Sequence, residues 1–175
     1  LGVILLSGFL AGIFGKRNVF VVCLALTALF TGLFFVVSPS SIESIFMLNI
    51  LKSLAYAPTV PLLWAMMGDV ADHSEWLNYR RATGFVFAGI VFALKAGLGL
   101  GGWICGSIIG SFGFVANTAL STEAVYGIKL TSSIIPAVTF IVGVLALCFY
   151  PISKKFNKKI QAELSQRRIG QNTEI

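Results

Sequence analysis

The chain has 175 residues, 57% of them hydrophobic and 11% charged, with a net charge of +6 and a mean hydropathy of +0.89. A soluble globular domain carries about 25% charged residues, so this composition excludes one and describes a membrane protein. The basic residues do not gather into one patch with interleaved exposed aromatics, which excludes a nucleic-acid surface. Cys23, Cys105 and Cys148 are odd in number and far apart, which excludes a disulfide framework and a CxxC metal or redox site.

Five apolar stretches follow, at about 1–14, 18–37, 43–67, 83–113 and 124–150, separated by short polar breaks. The first opens on Leu1 and lacks the basic flank and small-residue cleavage motif of a signal peptide. It reads as a span cut short, so the chain is expected to be the C-terminal piece of something longer. The other four have the ~20 residues that cross a hydrocarbon core. Continuous apolar runs, unlike alternating ten-residue segments, predict helices. Residues 1–153 are thus expected to form a transmembrane helical bundle and 154–175 a basic cytoplasmic tail.

The breaks assign sides. Lys16 and Arg17 lie in the first, Arg80 and Arg81 in the third, and six lysines and arginines in the tail, whereas "SPSSIES" and "GFVANTALSTEAVYG" hold none. This alternation places the basic breaks and the C-terminus on the cytoplasmic side.

The third stretch carries Asn49, Lys52, Ser53, Tyr56 and Thr59, a polar stripe at helical spacing that is expected to line a cavity. Pro58 and Pro61 follow immediately. Prolines inside a span remove backbone donors, and such discontinuities accompany transporter substrate sites. Snorkelling of Lys52 to the outer surface is the rival account of its presence.

"GDVADHSEWLNYRRATG" then places Asp69, Asp72, His73, Glu75, Arg80 and Arg81 between two apolar spans. As metal ligands, Asp69, Asp72, His73 and Glu75 match no spacing with a mechanical reason. Ser74 beside His73 does not make a nucleophile, because adjacent helix residues do not face one another. If the helix ends near Gly68 to Asp72, its C-terminal dipole disfavours these carboxylates, and they need cationic partners from Arg80 and Arg81, from Lys16 and Arg17, or from a missing half of the protein. Charge pairs at a cytoplasmic rim that form in one conformation and open in another make a gate. A solvated loop is the alternative.

In the fourth stretch Lys95 lies eleven residues beyond Gly84, about 16 Å along a helix and close to the bilayer midplane. Gly84, Ala88, Gly99, Gly102, Gly106, Gly110 and Gly113 recur at helical spacing around it, a face suited to a close helix or a ligand. An ionisable group at that depth costs at least ~2.5 kcal/mol. Lys95 either binds substrate or couples to an ion, or else neutralises an acid on another helix. The tail repeats Phe156, Ile160 and Leu164 among basic residues, which fits an amphipathic helix on the anionic inner leaflet or a disordered basic tail.

"MGDVADHSEWLNYRRATGFVFAGIVFALKAG" resembles the region around the last cytoplasmic loop of the glycoside-pentoside-hexuronide:cation symporters, the melibiose permease-like branch of the major facilitator superfamily. Asp69, Asp72, Glu75, Arg81, and Lys95 followed by Ala96 and Gly97 match its pattern, while His73 and Ser74 stand where the family has Tyr-Gly. The polar pair expected one turn before the Lys is Ile90 and Val91 here. The resemblance implies an all-α fold, the C-terminal part of a twelve-helix major-facilitator protein with about five transmembrane helices in this chain. It further implies a secondary active transporter of the bacterial inner membrane, not an enzyme, moving a sugar, glycoside or hexuronide with Na⁺ or H⁺ by alternating access. No cofactor besides that cation is expected, and no nucleic acid. The partners implied are membrane lipid, the small-molecule sugar and the N-terminal half of the same transporter.

On this reading Lys95, Asn49, Lys52, Tyr56 and Thr59 serve substrate or coupling, and Asp69, Asp72, Glu75, Arg80 and Arg81 form the cytoplasmic gate. The competing class is a non-transporting multi-pass sensor or assembly subunit.

Overall fold

A computed structural model describes residues 2–38, 40–80 and 82–173. Its helices run in the order α1 (Gly2–Phe14), α2 (Lys16–Leu33), α3 (Ile42–Tyr56), α4 (Thr59–Asn78), α5 (Thr83–Ser111), α6 (Thr122–Ser132), α7 (Ile134–Cys148) and α8 (Lys154–Thr173). Among the described residues there is no strand. Four helical runs are long and apolar enough to cross a membrane: α2, α3 with α4, α5, and α6 with α7. At 13 residues α1 is shorter than a span. Successive runs reverse direction, so the start of α2, the ends of α4 and α7, and α8 share one basic end of the bundle.

α2 is the centre of packing and touches α1, α3, α4 and α7. Its buried residues Val19, Phe20, Leu24, Thr27, Ala28 and Thr31 follow helical spacing along one stripe. There Val19, Phe20 and Leu24 meet Leu62 and Met66 of α4, with Phe140 and Val144 of α7 packed alongside. The turn into α2 depends on Gly15, whose φ of 90° and ψ of 144° lie in a region open essentially to glycine alone.

The third span breaks where its prolines predict, and it runs on further than expected. Its helix is interrupted at Ala57 and Pro58, because Pro58 and Pro61 cannot donate to the carbonyls one turn back. Between the two prolines the Thr59 hydroxyl donates to Tyr56 O at 2.6 Å. Beyond residue 67 the chain then stays helical to Asn78, and ends on Tyr79 in the left-handed region with its N–H donating to Glu75 O at 2.9 Å. Asp69 and Asp72 are therefore inside a helix rather than at its end. The last span is interrupted too, at Ser133. The hydroxyls of Thr131, Ser132 and Ser133 donate back to the carbonyls of Gly127, Ile128 and Lys129, and Pro136 supplies no N–H to the preceding turn.

α5 stands at the edge of the bundle with no buried residue. Its ends are fastened by Phe87 stacked on Trp64, centroids 5.9 Å apart, and by Phe112 against Tyr126, also 5.9 Å. The tail is helical, not disordered. Ile160 and Leu164 are buried where α8 packs on α4, so the face foreseen for a lipid leaflet is taken by protein.

Candidate functional site

Both interrupted spans open on one cavity of about 390 Å³. Lys52, Tyr56 and Ala57 come to it from the first interruption, Ser132 and Pro136 from the second, and Thr27 and Thr31 from α2. The α2 hydroxyls are turned onto their own helix, Thr27 donating to Cys23 O at 2.8 Å and Thr31 to Thr27 O at 2.6 Å. The Lys52 ammonium lies 5.6 Å from the centroid of Phe34, where the ring's negative face attracts it. A mainly apolar space between broken helices, with Lys52 in its wall, suits a solute that offers the lysine a hydroxyl or an anionic group.

The remaining residues expected to serve substrate or coupling are placed differently. Thr59 is buried and committed to Tyr56 O, beyond the break that separates it from the stripe; Asn49, on the same helix as Lys52 and Tyr56, is exposed. Lys95 is exposed on α5. The glycines of its stripe, from Gly84 to Gly113, have nothing within 4 Å of where a Cβ would stand.

The charged stretch forms a rim at the basic end. Lys16 donates to both carboxylate oxygens of Asp69, at 2.7 and 2.8 Å, so α2 supplies the acid with a cation. Asp69 is 8% exposed and Lys16 34%, a pair shielded enough from water to matter. Arg17 donates to Leu147 O at 3.0 Å and Cys148 O at 2.7 Å, and Lys154 to Gly12 O and Ile13 O. Each cation thereby sits on the negative end of a helix dipole. Tyr150 is held above its ordinary pKa by burial and then by the Asp69 carboxylate. Asp72 and Glu75 are half-buried and Arg80 is exposed; Arg81 lies outside the described residues.

His73, which most suggested a metal, lies among rings: 6.1 Å from Trp76 and 5.7 Å from Phe156, centroid to centroid. Among the described residues no three His, Cys, Asp or Glu side chains group as a metal requires. Trp76 Nε1 donates to Glu163 at 2.6 Å. Arg167 donates to Trp76 O at 3.2 Å and lies 4.6 Å from the Tyr79 ring centroid.

One residue was overlooked by sequence reasoning. The Lys129 ammonium lies 5.3 Å from the centroid of Phe35, beside Ser132 in a neighbouring cavity of about 210 Å³. The signal was a lysine inside an apolar run, the same one that singled out Lys52 and Lys95.

A family model described as MFS/sugar transport protein matches residues 1–154. The chain belongs to this family. Among curated members, it is 29% identical to a glucuronide carrier protein homolog of Escherichia coli over 94% of the chain and 36% of that protein. It is 32% identical to an inner membrane symporter of the same organism, over 77% of the chain and 29% of that protein. To the isoprimeverose transporter of Lactiplantibacillus pentosus it is 36% identical, over 63% of the chain and 23% of that protein. The chain thus spans about a third or less of these family members, each named for transport. No solved structure matches it significantly.

Proposed function

We propose that the chain is part of a secondary active transporter that moves a sugar, glycoside or hexuronide together with Na⁺ or H⁺ by alternating access. The observation that carries this reading is the meeting of two interrupted spans at one cavity with Lys52 in its wall. Interrupted helices expose backbone carbonyls and amides to a solute or ion at membrane depth without leaving them in lipid. Family members named for a glucuronide, for isoprimeverose and for symport agree with it.

On this proposal the open face of α5, with Lys95, looks toward the rest of a longer transporter, whose N-terminal half supplies the opposite wall and the coupling-cation site. Lys52 and Tyr56 contribute to the solute path from this side. The basic end is cytoplasmic in a bacterial plasma membrane, as the distribution of Lys and Arg favours. There the Lys16–Asp69 pair, with Asp72, Glu75, Arg80 and Arg81, works as a gate that is closed in one conformation and opened in the other.

The test is ion-gradient-dependent uptake by the full-length protein in membrane vesicles. Accumulation of a glycoside or uronide that collapses without a Na⁺ or H⁺ gradient is expected. Flat uptake of every sugar tried, with either gradient, overturns the proposal in favour of a sensor or assembly subunit.

A further inference from the structure

At the basic end a cavity of about 330 Å³ is bordered by Lys16, Arg17, Lys154 and Lys158. One carboxylate, Asp69, is among its walls, and Lys16 already holds both of its oxygens. Three of the four cations are fixed in place by the carboxylate and backbone contacts described above. Lys158, one turn along α8 from Lys154, is exposed at the same opening. The start of α8 also faces this space through Ser153 and Lys154, adding the positive end of a helix dipole. Asn157 Oδ1 is buried here and finds no hydrogen-bond donor among the described residues.

Beside this cavity runs a second one, of about 370 Å³, between α1 and α4. The two share Ala11 and Lys16. The second is walled mainly by small or apolar groups, among them Gly8, Gly12, Pro61, Leu62 and Ala65. A strongly basic, hydroxyl-accepting chamber thus continues into an apolar slot that points along the membrane-spanning helices.

We propose that this paired cavity is a binding site for an anionic phospholipid with a hydroxyl-bearing headgroup, of the phosphatidylglycerol type. The phosphodiester sits among Lys154, Lys158 and Arg17, a headgroup hydroxyl donates to Asn157 Oδ1, and an acyl chain lies in the slot between α1 and α4. The two halves of the site match the two halves of one lipid molecule. A free phosphate uses only the first, and a zwitterionic lipid brings its own cation among four others.

The test uses the full-length protein in lipid nanodiscs, with bound lipid read by native mass spectrometry and affinity by titration. Phosphatidylglycerol is expected to be retained over phosphatidylcholine by about tenfold or more, and Lys158→Gln to weaken it about fivefold, the effect of one surface cation. Asn157→Asp, which keeps the side-chain shape and adds a negative charge, is expected to abolish the preference with the melting temperature unchanged. Gly8→Trp, at a position that lines only the slot and is open around its Cα, is expected to remove lipid while leaving glycerol phosphate binding intact. Equal retention of the two lipids overturns the proposal. So does wild-type lipid binding in Gly8→Trp, which indicates that other helices of the longer protein occupy the slot. Free phosphate that competes as well as the lipid shows a soluble-anion site instead.

Discussion

Lys16 and Asp69 are not equivalent members of their pair. Asp69 is almost wholly shielded whereas a third of Lys16 reaches solvent, so removing the lysine strands a buried carboxylate and removing the acid leaves a cation that turns to water. Lys16→Ala is expected to cost about 2 kcal/mol, below the full penalty for a buried pair because Lys16 is partly exposed. Asp69→Asn is expected to cost less than half of that, and thermal unfolding in detergent compares the two. Tyr150 adds a pH signature outside the spans. Its phenol donates to Met66 O at 3.4 Å, and burial followed by the Asp69 charge raises its pKa. The folded state therefore holds this proton more tightly than the unfolded one. The associated stability is fully present below the ordinary tyrosine pKa and is lost as pH rises through the raised value. Ultraviolet titration of wild type against Tyr150→Phe should show that the missing phenol is one that ionises late.

Helix α4 illustrates what an element gains from its neighbours. Residues 68–78 carry Asp69, Asp72, His73 and Glu75 and in isolation resemble a polar break between two spans. They stay helical because α8 covers them: Phe156 packs edge-on against Trp76, Glu163 accepts from its indole, and Arg167 covers the left-handed Tyr79. Truncation after Ser153 removes all of these together with the burial of Ile160 and Leu164, roughly 3–5 kcal/mol of apolar stabilisation. A lower melting temperature and greater quencher access to Trp76 are expected, and unchanged Trp76 quenching would mean that α8 does not cover it. At the other end, α5 depends on one close approach. A Cβ at Gly127 would fall 2.7 Å from Phe112 Cβ, so Gly127→Val is expected to destabilise by about 1–3 kcal/mol. Disulfide trapping between cysteines placed on α5 and α6 should report their separation.

For the whole transporter proposed above, two substitutions separate the solute path from the gate. Lys95→Ala is expected to impair uptake while membrane insertion stays intact; wild-type uptake would remove Lys95 from the path. Asp72→Arg is expected to reduce transport more than substrate binding, and an equal loss of both would indicate misfolding. Much of the molecule was legible from one dimension. Apolar runs of span length report the cost of unpaired backbone in lipid, Pro58 and Pro61 mark a helix interruption by their missing donors, and Lys52 and Lys95 stand out because charge at membrane depth is expensive. These are local properties, and sequence alone determined them. Which cation meets Asp69 was not local: Lys16 is 53 residues away. Nor was the convergence of the two interruptions on one cavity, the separation of Thr59 from the stripe it shares by spacing, or the burial of α8 on α4. Those depend on how helices distant in the chain pack side by side, and only the tertiary structure decided them, because hydrophobic packing sets which helices meet and charge pairing follows from the proximity it creates.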